Sequence, residues 1–242
     1  MIRASKLSKS FADLDAVNSL SFEIPENQVT GLLGPNGAGK TTTIRMLTTF
    51  LSPDSGDAEV AGYSVTKEAD KVRESIGYQP ETPPLYPEMT VLEYLGFVGK
   101  IKKLRSNELR DNIARVLHRC LLEDVAHQPC FQLSKGYRQR VGLAQAIIHN
   151  PAVIILDEPT SGLDPSQIIE IRALIKELGD SHSVVISSHN LAEVVATCSQ
   201  ALILSKGQLV SSLEVSEDSD SSLLEQEYLR AVSGMEPAGE SQ

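Results

Sequence analysis

The sequence predicts an α/β fold in three parts: a core lobe built on a parallel sheet, an antiparallel β-piece, and a separate α-helical lobe. Three observations carry that prediction. Residues 29–33, 34–41 and 42–51 read in turn as buried strand, glycine-rich loop and helix, with Ile44, Leu47 and Leu51 on one helical face. Residues 152–156 are a continuous apolar run, the pattern of a parallel strand buried on both faces, and Ser183-Val184-Val185-Ile186 is the next buried strand. Residues 80–133 instead carry apolar side chains at helical spacing, after a run of prolines.

Residues 2–7 and 17–24 supply the antiparallel piece. In the second, Leu20, Phe22 and Ile24 face one way and Ser19, Ser21 and Glu23 the other. Pro25-Glu26-Asn27 turns the chain into the first parallel strand. Between Pro53 and Tyr78 the pattern is of further strand fragments, broken at residues 53–56 and at Gly62, and residues 76–80 close that lobe. Pro83, Pro84 and Pro87 form a stiff connector. Thr90 and Glu93 have capping-box spacing, and Leu92, Leu95 and Val98 follow on one helical face. A second helix starts near Ser106 and carries Leu109, Ile113, Val116, Leu117, Cys120 and Leu121.

Ser134 is a natural N-cap for a third helix, with Val141, Leu143, Ala144, Ile147 and Ile148 as its apolar face and Asn150-Pro151 as its stop. Asp164-Pro165 opens a fourth, which runs through Ile168, Ile171, Ile175 and Leu178 to a stop at Gly179. Residues 191–197 make a short helix, and residues 201–204 and 208–210 flank Ser205-Lys206-Gly207 as a hairpin. From Glu214 the chain turns acidic and Ser-rich. Leu223, Leu224, Tyr228, Leu229 and Val232 suit one short docked helix, and residues 235–242 are expected to be disordered.

At 242 residues the chain is long enough for one large α/β domain or two small lobes, and 41 % hydrophobic with 22 % charged residues is an ordinary globular balance. A formal charge of −10 argues against a nucleic-acid-coating surface, yet leaves room for an anion held by a local field. The first residues show no apolar core of signal-peptide length, and no apolar run approaches the ~20 residues of a spanning helix. Cys120, Cys130 and Cys198 lack metal-ligand spacing and read as three unligated thiols in a reducing compartment.

The chemistry centres on Gly34-Pro35-Asn36-Gly37-Ala38-Gly39-Lys40-Thr41, a Gly-x-x-x-x-Gly-Lys-Thr loop followed by Thr42. Glycines without Cβ atoms let the backbone curl so that several N–H groups point at a phosphate chain, and the following helix adds the positive end of its dipole. Lys40 then reaches the β- and γ-phosphates of ATP, and the Thr41 hydroxyl ligates Mg²⁺. Asp157 and Glu158 close the apolar run at 152–156. Asp157 is placed to hold the Mg²⁺ shell, and Glu158 to take a proton from an attacking water. Phe11, between the antiparallel strands, is equally well read as an adenine-stacking ring or as an ordinary core or surface phenylalanine.

With these motifs in this order, the chain resembles the nucleotide-binding subunit of ABC transporters over about residues 1–212. The resemblance rests on the loop at 34–41, Gln79, Leu133-Ser134-Lys135-Gly136-Tyr137, Asp157-Glu158, Ser161-Gly162-Leu163-Asp164 and His189. It implies a P-loop NTPase of the ABC type, with a core lobe at about 1–79 and 138–212, a helical lobe at about 80–137, and an acidic extension at 213–242. It implies that Gln79 touches Mg²⁺ and the attacking water, and that His189 contacts the γ-phosphate and positions the water with Glu158. His118, His127, His149 and His182 match no motif and read as ordinary histidines. The family pattern at 133–137 is Leu-Ser-Gly-Gly-Gln; here Lys135 and Tyr137 replace its third and fifth residues. In such proteins Ser134 and Gly136 meet ATP bound on a second copy, so that two ATPs are sandwiched between two protomers; Asp164 belongs to the same nucleotide-binding set. The run Leu-Ser-Lys-Gly-Tyr-Arg-Gln-Arg is similar to the type-2 exporter variant, including gliding-motility and multidrug-type ATPases.

The expectation is therefore an ATP-hydrolysing motor. It works as a homodimer at the cytoplasmic face of the membrane, beside a permease on a separate chain. A soluble clamp of the same ATPase type, acting on DNA or ribosomes, is the alternative. The single motif set, the lack of a long heptad insert and the acidic balance disfavour it. A binding-only regulatory subunit is disfavoured by the intact Lys40, Thr41, Gln79, Asp157, Glu158 and His189.

Overall fold

The computed structural model describes residues 1–215 and 221–233. Two sheets lie at its centre. The first has four antiparallel strands in the order β2-β1-β4-β5, with β1 at Ile2–Phe11, β2 at Leu14–Ile24, β4 at Ser55–Val60 and β5 at Tyr63–Ser64. The second has six strands in the order β10-β9-β3-β8-β7-β6. Its members are β3 (Val29–Leu33), β6 (Ile76–Gln79), β7 (Val153–Asp157), β8 (Ser183–Ser188), β9 (Gln200–Ser205) and β10 (Gln208–Glu214). All its pairings are parallel except the β9–β10 hairpin at one edge.

Helices follow the strands: α1 (Lys40–Leu47), α2 (Ala69–Ser75), α3 (Val91–Ile101), α4 (Ser106–Arg119), α5 (Lys135–Ile147), α6 (Pro165–Gly179), α7 (Leu191–Thr197) and α8 (Ser221–Ser233). The apolar side chains of the six-stranded sheet divide by parity, which is why β7 is apolar at every position before Asp157. Val153 and Ile155 join the core shared with the antiparallel sheet and α1, where Ile2, Leu20, Ile44 and Met46 are buried. Ile154 and Leu156 join the opposite core with Leu95, Val116, Leu143, Ile147 and Ile175. The helices at 91–119 therefore pack onto a core continuous with the sheet's helical face.

Several local expectations shift. α1 begins at Lys40 and ends at Leu47, so Leu51 packs from outside the helix. Residues 69–75 form α2 rather than a strand fragment. It is one short polar helix with Val72 as its buried residue, too little to display a period. Gly56 is not a break but lies inside β4 at φ +79, beside an irregular stretch of the β1–β4 register, where a Cβ would overlap the Lys6 carbonyl. Gly62 does sit in a turn, at φ +83 after Ala61 at φ +52. α4 stops at Arg119, leaving Cys120 buried beyond its end and Leu121 exposed at φ +54. Gly179 stays helical; its missing Cβ admits the Val29 side chain. The expectation for residues 235–242 lies outside the described residues. Among the described residues no helix is long and apolar enough to cross a membrane.

Candidate active site

The glycine-rich loop joins the end of β3 to α1 at one edge of a cleft of about 560 Å³. Its shape is forced at two points. Gly34 touches the β9 backbone so closely that a Cβ would overlap the Leu204 carbonyl. Gly39 sits at φ +101, and a Cβ there would lie 2.6 Å from the Ala16 carbonyl oxygen. No side chain caps the start of α1, so its first N–H groups stay open toward the cleft. Asn36, Gly37, Ala38, Gly39, Lys40, Thr41 and Thr42 line that cleft, while Gly34 and Pro35 act from behind. Their carbonyls accept the Lys40 ammonium at 2.7 and 3.2 Å. Burial pulls the Lys40 pKa below the ordinary lysine range; Glu158 and Asp157 oppose that pull.

The opposite wall comes from the ends of β7 and β8. The Ser187 hydroxyl donates to Asp157 Oδ1 at 2.5 Å and accepts the Glu158 N–H at 2.9 Å, fixing both acids. Thr41 Oγ1 faces Asp157 Oδ1 at 3.5 Å across 116 residues of chain. Glu158 adopts φ +49, uncommon for a residue with a side chain, at the point where the strand ends. Its carboxylate meets His189 Nδ1 at 3.0–3.1 Å and lies 4.0 Å from Lys40 Nζ. Desolvation raises the Glu158 pKa above the ordinary carboxylate value, with His189 and Lys40 pulling the other way. Phe11 is half exposed at the tip of the β1–β2 hairpin and lines the cleft with Leu14, so it is not a core residue.

Gln79 ends β6 beside Leu156 of β7, next to Asp157. It lies outside the residues lining the cleft. Its Nε2 donates to the Gln139 carbonyl at 3.2 Å and to the Gln139 side chain, tying it to α5. Its Oε1 is buried without a partner. A hydroxyl, a carboxylate and an orphaned amide oxygen at adjoining strand and helix ends are the hard oxygen donors Mg²⁺ takes alongside phosphate oxygens, so this set fits that ion.

Ser134, Gly136 and Asp164 are not brought to the cleft in the single chain. Ser134 caps α5 by accepting the Tyr137 N–H. Asp164 caps α6 in a capping box with Gln167, so its carboxylate serves that helix. The two caps form one patch. Gly136 abuts the Gln167 side chain, and the Lys135 ammonium lies over Gly162, which sits at φ +66. Tyr137 turns inward and packs on the helical-face core.

Ser187, Thr160, Glu193 and Lys206 escape the sequence reading. Lys206, in the β9–β10 turn, lines the cleft. Glu193 is buried and accepts the hydroxyls of Thr160 and, at 2.5 Å, Ser188, so it bridges the segments after β7 and β8. The signal for a buried carboxylate is its pairing, which no single-sequence pattern carries.

The protein-family model described as ABC transporter matches residues 17–161. An uncharacterized ABC transporter ATP-binding protein of Bacillus subtilis strain 168, YxlF, is 39% identical over 209 residues, covering 86% of this chain and 69% of that protein. The SkfA peptide export ATP-binding protein SkfE of the same organism is 35% identical over 234 residues, 96% of this chain and 97% of its own length. Among solved structures, a bacterial ABC transporter cassette in dimeric form, MJ0796, superposes with a TM-score of 0.82 at 25% identity, over 89% of this chain and 99% of that one. The same cassette bound to ADP and Pi in a post-hydrolysis state gives 0.81. None of these relatives is named for action on DNA or ribosomes. A glycine cradle facing an acid–histidine pair across one cleft, on a chain matched over these lengths, identifies an ATPase: the protein belongs to the ABC transporter family, among its ATP-binding subunits.

Proposed function

We propose that the chain powers an exporter as a pair of identical ATPase subunits bound to a separate membrane permease at the cytoplasmic face. The observation that carries this is the convergence of the Lys40 ammonium with the Glu158–His189 pair in one cleft, with Thr41 and Asp157 alongside. ATP lies along the loop with its phosphates on the α1 N-terminus and its base toward Phe11. Thr41, Asp157 and Gln79 would hold Mg²⁺, which would neutralise phosphate charge there. Glu158 holds a water and takes its proton as the water attacks the γ-phosphorus in line; the bond from that phosphorus to the β,γ-bridging oxygen breaks, and ADP leaves with the electron pair. Lys40 and His189 meet the charge that develops on the transferred group. The raised pKa of Glu158 suits it to accept that proton.

Ser134 and Gly136 do not line their own cleft, and a similar cassette is solved in dimeric form; both support a role toward the nucleotide of a second copy. The segment 80–137 forms the helical lobe and residues 1–79 with 138–212 the core lobe. Export follows the naming of relatives such as SkfE. The exposed Tyr86–Phe97 pair, with ring centroids 5.3 Å apart, and the exposed Phe50 give a permease an aromatic surface to meet.

The test is phosphate release by the purified protein. Glu158→Gln is expected to bind ATP normally and to lose roughly 10²–10⁴-fold in turnover, the scale of a missing general base. A near-normal rate removes Glu158 from this role. Co-purification of a polytopic membrane protein with the tagged chain tests the permease.

A further inference from the structure

We propose that the C-terminal helix α8 holds the His189 loop in its working position, with Tyr228 as a positioning residue for ATP hydrolysis. The proposal rests on the reading that His189 faces the γ-phosphate. The His189 ring is 57% exposed, so packing does not fix it. Glu158 meets the ring at Nδ1, at 3.0–3.1 Å, and the backbone of the turn sets where the ring stands to make that contact. On the N-terminal side, the Ser188 hydroxyl donates to buried Glu193 at 2.5 Å and accepts the Asn190 N–H at 3.0 Å. On the C-terminal side, Asn190 Oδ1 caps α7. The His189 carbonyl accepts the Tyr228 hydroxyl at 2.8 Å.

Tyr228 comes from an element outside the family match, which ends at residue 161. α8 is nonetheless seated. Leu224 is 5% exposed within the helical-face core, Tyr228 packs against the same core, and the helix lies against α7, β9 and β10. A tyrosine offers both requirements at once, an apolar ring that docks and a hydroxyl that reaches a backbone acceptor. Removing the hydroxyl frees one end of the peptide plane that carries the His189 Cα. The ring then samples positions away from Glu158, and chemistry slows more than binding.

The experiment uses the full chain with Tyr228→Phe, His189→Ala and the double variant. Steady-state phosphate release gives kcat and the KM for ATP, and amide exchange follows residues 187–191. Tyr228→Phe keeps the ring and is expected to lower kcat about 3- to 10-fold, the scale of one lost neutral hydrogen bond, with KM held within about twofold. Exchange across 187–191 should quicken while that across 153–157 does not. In the His189→Ala background the second substitution should change kcat by less than about twofold, because the group being positioned is gone. The proposal is overturned if exchange at 187–191 is unchanged, or if Tyr228→Phe costs as much with His189 absent as present. Full turnover by His189→Ala counts against the role of His189 itself, and the exchange measurement alone then decides whether Tyr228 holds the loop.

Discussion

Gly37 and Gly39 lie two residues apart in the same loop, and both have positive φ, yet the structure treats them differently. A Cβ on Gly37 meets nothing within 4 Å, so alanine there faces only the backbone cost of φ +81, about 1 kcal/mol. A Cβ on Gly39 would sit 2.6 Å from the Ala16 carbonyl oxygen, a backbone atom that cannot swing aside. Gly39→Ala must therefore push the loop off the β2 strand and rotate the N–H groups that face the phosphates. The expected result is a loss of ATP affinity of at least about tenfold, or ~1.4 kcal/mol, for Gly39→Ala, with a smaller loss for Gly37→Ala. Titration with a fluorescent ATP analogue checks the ranking; equal losses at the two positions contradict it. The motif spacing marks Gly39 and leaves Gly37 at one of its free positions. The size of the penalty at Gly39 comes from the neighbouring strand, and that neighbour is set by tertiary structure.

At the scale of elements, signals that need only local chemistry were readable in advance. Thr90 and Glu93 form the capping box their spacing implies, with the Thr90 N–H on Glu93 Oε2 at 2.8 Å and the Glu93 N–H on Thr90 Oγ1 at 3.2 Å. Ser134 and Asp164 cap α5 and α6 for the same reason, and the apolar run of β7 marks a central strand. α2 was not readable, since one buried valine in seven residues defines no face. α6 ends at Gly179 as expected, but not by a left-handed stop: the glycine keeps helical backbone and serves close packing on Val29. Within the site, the loop and the acid pair were legible because each follows a strand, and His189 only through the resemblance to the family, while the Glu193 bridge joins residues 33 positions apart and leaves no trace in the sequence. Thr90→Ala removes the cap acceptor of α3 and should destabilise the fold by about 1 kcal/mol, measured as a lower urea midpoint at constant m-value. No change in midpoint would mean that water replaces the hydroxyl at no cost.

At the scale of the whole molecule, two histidines, His149 partly buried and His182 buried, contribute to the response to acid. His149 Nε2 lies 3.0 Å from the Ile76 carbonyl, which makes that nitrogen the donor, while Nδ1 is buried without a partner. Burial, with Lys102 and Arg115 nearby, pushes its pKa from 6.5 down to about 4. His182, held at 2.8 Å on the Pro151 carbonyl, is lowered by burial as well. A lowered histidine means that the unfolded chain binds the proton first as pH falls. Stability contributed by neutral His149 is thus present above pH 6.5 and is lost as the pH descends toward about 4. At pH 5 this loss amounts to roughly 2 kcal/mol relative to pH 7, a large part of a typical margin of 5–15 kcal/mol. Glu158 acts in the opposite sense, because its raised pKa makes ionisation oppose folding at neutral pH and acid relieves that strain. The two contributions separate by substitution. His149→Gln keeps a donor for the Ile76 carbonyl but cannot titrate, so its urea-derived stability should differ between pH 7 and pH 5 by roughly 2 kcal/mol less than that of the parent chain. An identical pH dependence in the two proteins would place the acid sensitivity elsewhere.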